Sequence, residues 1–356
     1  MKVALVYDRV NKWGGAERVL LALKELFPNA PLYTSVYSKE SAKWAREFDV
    51  RSSFLQQISL ARTSHEYFAM AMPIAFEQFS FDEYDLVVSV TSEAAKGILT
   101  KPGTKHICYC LTPTRYLWSG HDEYFSNKAL RFLSRPAVSY LRRWDMIAAS
   151  RPDTMVAISK EVQERIFRYY GRKSEIIYPP LSLQNEQDRK VKAVKGPYFL
   201  VVSRLVPYKR VDLAVKACTS LNLPLIVVGT GSEGKRLREI AGPSVRFVGS
   251  LTDSELVGYY KGCKALIFPG REDFGLTVVE AESYGKPVIA FAAGGAKETV
   301  VEGKTGIFFY PQTIKALTKA LKSFSRKRFK SRDSVDQAML FRKQLFQESF
   351  LALLSK

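Results

Sequence analysis

No apolar run in this chain of 356 residues approaches the roughly 20 that a membrane-spanning helix needs. Asp8 and Arg9 interrupt the apolar stretch after Lys2, so no signal peptide is expected. The four cysteines (Cys108, Cys110, Cys218, Cys263) form no CxxC and no metal-ligand spacing, and read as buried thiols of a reducing compartment. There is no G-x-x-x-x-G-K-[ST] phosphate loop, which disfavours an ATPase. D-x-D, H-E-x-x-H and other tight metal-ligand clusters are missing too, so no metal or other cofactor is expected. No internal repeat or low-complexity tract is present. What remains is an ordinary soluble composition, 46% hydrophobic and 25% charged, long enough for two domains. The cytoplasm is the expected compartment.

Acid is what the chain has too little of. Lys plus Arg number 54 against 35 Asp plus Glu, a net charge of +19. Such an excess suits nucleic acid, an anionic membrane surface or a polyanionic substrate. Residues 315–332 hold eight basic side chains and no acid. A second stretch, 128–143, carries Lys128, Arg131, Arg135, Arg142 and Arg143 among Leu130, Phe132, Leu133, Val138, Tyr140 and Leu141, again without an acid. It reads either as an interfacial helix on anionic lipid or as a solvated basic face over a packed stripe.

Short apolar runs alternate with helical patterns twice over. The first series of strands is expected at 2–7, 85–90, 106–110, 154–158 and 175–178, with a helix from near Ala16. Tyr178-Pro179-Pro180 ends it, and 181–196 is the linker candidate. The second series is expected at 198–203, 223–228, 245–248, 264–268 and 287–291. Helices are expected at roughly 209–220, 233–241, 253–262, 276–284 and 312–323. The pattern predicts an α/β protein of two doubly wound, Rossmann-like domains, with a cleft between the carboxyl ends of two parallel sheets. Expected boundaries are 1–182 and 190–333, with 334–356 a C-terminal helix that returns to the first domain.

Gly229-Thr230-Gly231-Ser232-Glu233-Gly234 is a formal G-x-G-x-x-G after a strand. A dinucleotide fingerprint would end a later strand with its acid, whereas Thr252-x-x-Glu255 is a capping box opening a helix. Gly229 is therefore kept as a backbone approach to a phosphate or base. The richest chemistry lies in 268–285, where Glu272 precedes Phe274-Gly275-Leu276 and Glu280 follows them. A helix beginning there offers free N–H groups to an anion, flanked by two carboxylates suited to hydroxyls. Arg204 and Lys209, after the first strand of the same half, add two cations. A phosphorylated ligand is implied. Gly14-Gly15 and Gly294-Gly295 are further strand-to-helix turns.

These residues carry a resemblance. Gly14-Gly15-Ala-Glu-Arg18, the segment His106–Trp118, Ala157-Ile-Ser159, Tyr178-Pro-Pro180, Ser203-Arg-Leu-Val-Pro-Tyr-Lys209, the Glu272–Glu280 motif and Gly285-Lys-Pro287 are similar to family 4 glycosyltransferases of the GT-B fold. Bacterial mannosyltransferase-type enzymes of surface polysaccharide and lipid glycosylation resemble the chain over nearly its whole length. The resemblance implies a retaining, metal-independent enzyme that takes a nucleotide-diphosphate sugar on its C-terminal half. Its acceptor would be a glycan or lipid-linked, and it would attach reversibly to the inner face of the plasma membrane; no nucleic acid is expected. By the resemblance, Arg204 and Lys209 hold the donor diphosphate, Glu272 contacts the sugar hydroxyls and Glu280 the ribose. Gly14 and Gly15 let the backbone approach the phosphates. Many relatives carry a histidine where this chain has Leu111, beside Thr112-Pro113 and Arg115 in the sugar vicinity. His106 points to the opposite face of its strand, and His121 lies in a loop that could fold in. Three other readings stay open: a catalytically silent sugar-nucleotide-binding or scaffold homologue, motivated by Leu111; a nucleic-acid-binding protein, motivated by the charge; and a sugar-nucleotide epimerase.

Overall fold

The computed structural model describes residues 1–63, 65–125, 127–181, 188 and 190–355, with only the backbone of residues 65, 66, 122, 123, 128 and 130. Residues 182–187 and 189 of the linker candidate 181–196, which include the expected domain end at Ser182, and the side chains of Lys128 and Leu130 lie outside the described residues.

The chain forms two compact units, Met1–Pro180 with Phe346–Lys356, and Leu181–Leu345. In the first, the strands are β1 (Val3–Tyr7), β2 (Leu32–Thr34), β3 (Val50–Ser52), β4 (Leu86–Thr91), β5 (Lys105–Cys110), β6 (Thr154–Ala157) and β7 (Glu175–Ile176). They make a seven-stranded sheet in the order β3-β2-β1-β4-β5-β6-β7, each neighbouring pair parallel. In the second unit β8 (Phe199–Val202), β9 (Leu225–Val228), β10 (Val245–Gly249), β11 (Ala265–Phe268), β12 (Val288–Phe291) and β13 (Gly306–Phe309) form a six-stranded sheet in the order β10-β9-β8-β11-β12-β13, again parallel. Each unit is a Rossmann-like α/β domain. The strands β1, β4, β9, β11 and β12 are buried along their length, as strands covered on both faces must be.

Helices follow the expected pattern where apolar periodicity is strong. The main ones in the first unit are α1 (Gly15–Leu26), α2 (Lys128–Ser150) and α3 (Lys160–Tyr170). The second unit has α4 (Val211–Ser220), α5 (Asp253–Gly262), α6 (Leu276–Ser283), α7 (Ile314–Phe324) and α8 (Ser331–Met339). The capping box forms as read: the Thr252 hydroxyl accepts from Glu255 N–H, and the Glu255 carboxylate accepts from Thr252 N–H. All four cysteines are buried thiols outside any disulfide. Burial pushes Cys108 up to about 11, and Cys218 and Cys263 up to about 12, so they are unreactive thiols at neutral pH.

One boundary needs correction. The tail does not leave the second domain at residue 334, because α8 packs on α6 and Gly285 sits against Ser331. The return begins at Phe346, within α9 (Lys343–Leu354). Phe346 meets Tyr109 edge-on at 5.8 Å, Phe350 meets Phe27 at 6.3 Å, and the Gln347 amide donates to Glu25 Oε2 at 3.0 Å.

Glu282 on α6 is fully buried, and both its carboxylate oxygens lack a hydrogen-bond partner. Burial pushes its pKa up to about 9 from an ordinary 4.5. Between those values the unfolded chain releases this proton while the folded unit keeps it, so rising pH favours unfolding; below 4.5 both states are neutral. Glu282→Gln should therefore melt about 5 °C or more above wild type at pH 8, with the gap closing by pH 4. Scanning calorimetry at both pH values checks this, and a gap independent of pH contradicts it.

Candidate functional site

In an open parallel sheet a ligand binds outside the carboxyl ends of the strands, where the strand order reverses. In the second sheet that point lies between β8 and β11. The loop after β8 carries Arg204 and the short 3-10 turn Pro207–Lys209. The loop after β11 carries Glu272 and leads into α6. Here the Lys209 ammonium pairs with Glu272 Oε2, with 12% and 21% of the two side chains exposed. The Arg204 guanidinium donates to the Tyr208 hydroxyl at 2.7 Å, and Lys209 lies 5.2 Å from the centre of the Tyr208 ring. Two cations, a carboxylate and a phenol thus stand at the switch point.

Glycines shape this loop. Gly275 caps α6 in a left-handed conformation (φ 91°), which an L side chain rarely adopts. A Cβ at Gly294 would stand 2.3 Å from the Glu272 carbonyl oxygen, and one at Gly295 2.3 Å from Phe274 Cα. The Gly295 N–H donates to the Glu272 carbonyl at 2.9 Å. The Gly294-Gly295 turn is therefore what lets the β12 end clasp the Glu272 loop. Phe274 is buried, its ring against Phe341 at 5.3 Å and its backbone packed under Gly295. Leu276 opens α6, where the Val278 N–H donates to the Gly275 carbonyl at 2.9 Å, so the Leu276 and Thr277 amides are those a helix start leaves over. Glu280 is nearly buried one turn on, and accepts from the Tyr260 hydroxyl at 2.6 Å. Tyr208 and Tyr260 were not among the expected site residues: Tyr208 lies within the 203–209 motif, in the same loop as Arg204 and Lys209, whereas only the fold brings Tyr260 to Glu280.

Gly229 makes a close approach within the fold itself. At φ 129° its Cβ would stand 1.9 Å from the Ser203 carbonyl oxygen, so the close approach it permits is to the backbone of the β8 loop. Gly231 does the same for Leu205. The formal G-x-G-x-x-G packs one loop on another.

In the first unit the equivalent switch point is between β1 and β4. Asp8, at the end of β1, is buried and accepts from Thr91 Oγ1 at 2.8 Å and from the N–H groups of Ser92, Glu93 and Ala95 at 2.7, 3.0 and 2.9 Å. Gly14 is extended (φ 178°), open to any residue in conformation, and a Cβ there would lie 3.1 Å from Glu17 Oε2. Gly15 is the first residue of α1. Beyond β5, Leu111 is half-buried and bonds the Thr91 carbonyl through its N–H at 2.8 Å. Arg115 is half-buried, its carbonyl accepting from Gly120 N–H at 2.8 Å, and His121 packs 5.0 Å from Phe125. His106 is sealed in the sheet with its Nε2 2.8 Å from Ser89 Oγ, and burial lowers its pKa to about 3. The Lys96–Asp145 pair, 2.6 Å apart and 1% exposed on each side, anchors this segment: Asp145 also accepts from Thr114 Oγ1 at 2.9 Å and Trp118 Nε1 at 2.7 Å.

The half-buried setting of Leu111 makes a definite expectation. Leu111→His should fold with a melting temperature within about 3 °C of wild type, because the imidazole stays hydrated and avoids the cost of a desolvated polar group. A much larger loss, read by calorimetry, would show that the side chain belongs to the core.

Comparison with known proteins gives this geometry a context. Residues 184–339 match the family model described as "Glycosyl transferases group 1". The D-rhamnosyltransferase WbpZ of Pseudomonas aeruginosa is 26% identical over 57% of this chain and 56% of its own. A GDP-mannose-dependent alpha-mannosyltransferase of Mycolicibacterium smegmatis is 32% identical over 46% of each chain. The chain spans about half the length of the curated relatives it matches. Among solved structures, Anabaena Alr3699/HepE in complex with UDP and glucose superimposes with a TM-score of 0.71 at 20% identity, covering both chains in full. WaaG, a glycosyltransferase involved in lipopolysaccharide biosynthesis, gives 0.66 at 16% identity over 97% of this chain and 94% of its own. The fold is that of these GT-B neighbours, and the match to the group 1 glycosyl transferases covers residues 184–339.

Proposed function

We propose that the chain is a retaining glycosyltransferase that moves a hexose, mannose first, from a nucleotide-diphosphate sugar to a glycan or lipid-linked acceptor, without a metal. The observation that carries the reading is the Lys209–Glu272 pair beside Arg204 at the switch point of the second sheet. Relatives described as GDP-mannose-dependent support mannose, and the neighbour solved with UDP and glucose makes UDP-glucose the comparison donor.

The chemistry is electrostatic. As the bond from the anomeric carbon to the diphosphate oxygen breaks, negative charge grows on the departing diphosphate. Arg204, Lys209 and the first amides of α6 meet that charge already in place, so little reorganisation is needed when it forms. Glu272 holds Lys209 with one carboxylate oxygen and offers the other to a sugar hydroxyl. Glu280, held by Tyr260, offers its carboxylate to the ribose. The acceptor oxygen bonds the anomeric carbon on the face the diphosphate leaves, and its proton passes to a departing phosphate oxygen. Lys209→Ala and Arg204→Ala should each lower kcat/KM by well over tenfold with the preferred donor, while EDTA leaves turnover unchanged. Wild-type kinetics in both folded variants overturn the diphosphate assignment.

The same reading places the protein at the cytoplasmic face of a membrane holding its acceptor. Among the described residues no helix is long and apolar enough to cross one. Support comes from α2, where Leu133, Pro136, Tyr140, Arg143 and Ile147 recur at helical spacing on an exposed face, Leu133 being 75% exposed. Arg135 and Phe132, 5.4 Å apart, flank this face. Arg131 and Arg142 instead donate to the carbonyls of Phe125 and Leu117, so they are structural rather than free for lipid. Phosphatidylglycerol-rich vesicles should therefore sediment the protein at low salt and release it at a few tenths molar, and Arg135→Glu with Arg143→Glu should weaken the attachment without changing donor affinity. Equal binding to neutral vesicles, or tight binding to duplex DNA instead, would count against it.

A further inference from the structure

The eight basic residues of 315–332 take no part in the chemistry above. Two of them, Lys322 and Lys327, border a cavity of about 600 Å³ in the second unit, at the opposite edge of the sheet from Lys209 and Glu272. Phe199, Leu223, Lys264 and Pro287 line it, each at or just before the amino end of its strand. Four lysines converge on it: Lys264 and Lys286 from the strand edge, Lys322 from α7 and Lys327 from the loop beyond. No carboxylate is among its lining residues, and none of the four lysines makes an ion pair among the described residues. Part of the wall is apolar: Leu221, Leu321, Phe324 and Phe329 join Phe199 and Leu223, and the rings of Phe324 and Phe329 stack at 5.2 Å.

A concave site of this volume suits a small organic molecule. Like charges gathered around it repel one another until an anion compensates them, and ammonium groups bind phosphate well as point charges. Apolar walls reward a ligand with an apolar body, which inorganic phosphate lacks. We propose that this cavity is a second ligand site, separate from the switch point, that takes a phosphate monoester with an apolar body. A nucleotide base or a lipid chain could be that body. The site is joined to the first by α6, which starts beside Glu272 and ends just before Gly285 and Lys286 on the cavity wall.

The test uses simple esters that carry no sugar nucleotide, so its outcome is independent of the reaction proposed above. Calorimetric titration of the full chain at low salt compares phenyl phosphate, hexyl phosphate and inorganic phosphate. At least one ester should saturate a single site at least tenfold more tightly than inorganic phosphate. The preferred ester then tells an aromatic body from an aliphatic one. Lys286→Glu with Lys322→Glu should lose at least tenfold in ester affinity, and the milder Lys322→Gln with Lys327→Gln should weaken it if the first pair fails to fold. Lys209→Ala should bind the ester as wild type does. Failure of both esters to saturate a site, equal affinity for inorganic phosphate, unchanged affinity in a folded lysine variant, or loss in Lys209→Ala overturns the proposal.

Discussion

The ion pair between Lys209 and Glu272 is the constraint around which the second unit is arranged. The two residues are far apart in the chain, and they meet because β8 and β11 are neighbours at the reversal of strand order. Two further loops serve that meeting. Gly229 and Gly231 let the β9 loop press on Ser203 and Leu205, and Gly294-Gly295 lets the β12 loop bond the Glu272 carbonyl. A side chain at any of these positions would collide with backbone, which cannot rotate away. The charged pair is thus held by close backbone packing more than by its own attraction, which at partial exposure is modest.

The first unit solves a similar problem with polar bonds. Asp8 gathers a hydroxyl and three backbone N–H groups from the turn after β4, and Asp145 joins Lys96 to Thr114 and Trp118. Both carboxylates are buried with their partners, the only setting in which a charge is tolerated in a low-dielectric interior. Removing one member of the Lys96–Asp145 pair would strand the other, a cost of about 3–5 kcal/mol. That is large against the marginal stability of a domain. The segment running from Leu111 to His121 is therefore rigidly placed, even though much of it is irregular.

The sequence made the architecture legible wherever a strand was a continuous apolar run. VALVY, LVVSVT, LIVV, ALIF and VIAF stand within a residue or two of where their composition places them. Three strands escaped it. β2 is only Leu32–Thr34, β3 (Val50–Ser52) is exposed at its last two residues, and β13 (Gly306–Phe309) begins with a glycine. Each is short, and their place is set by pairing with a neighbour rather than by their own pattern. At the site, Arg204, Lys209, Glu272 and Glu280 were visible as chemistry after strands. The partnership of Lys209 with Glu272 was not, nor was that of Tyr260 with Glu280, because each depends on which elements lie side by side. The packing of Gly229 on Ser203 was hidden for the same reason: a glycine that admits another loop is not marked as such until the neighbour is known.

The return of the chain at Phe346 has a consequence for biogenesis. Phe346, Phe350 and Leu353 are buried in the unit whose sheet is otherwise built from residues before 181. Growing from the ribosome, that unit has all its strands early but lacks part of its core until the final helix emerges. The intervening residues, which complete a Rossmann-like domain of their own, can fold meanwhile. Order of synthesis and order of completion are therefore reversed: the domain begun first is finished last.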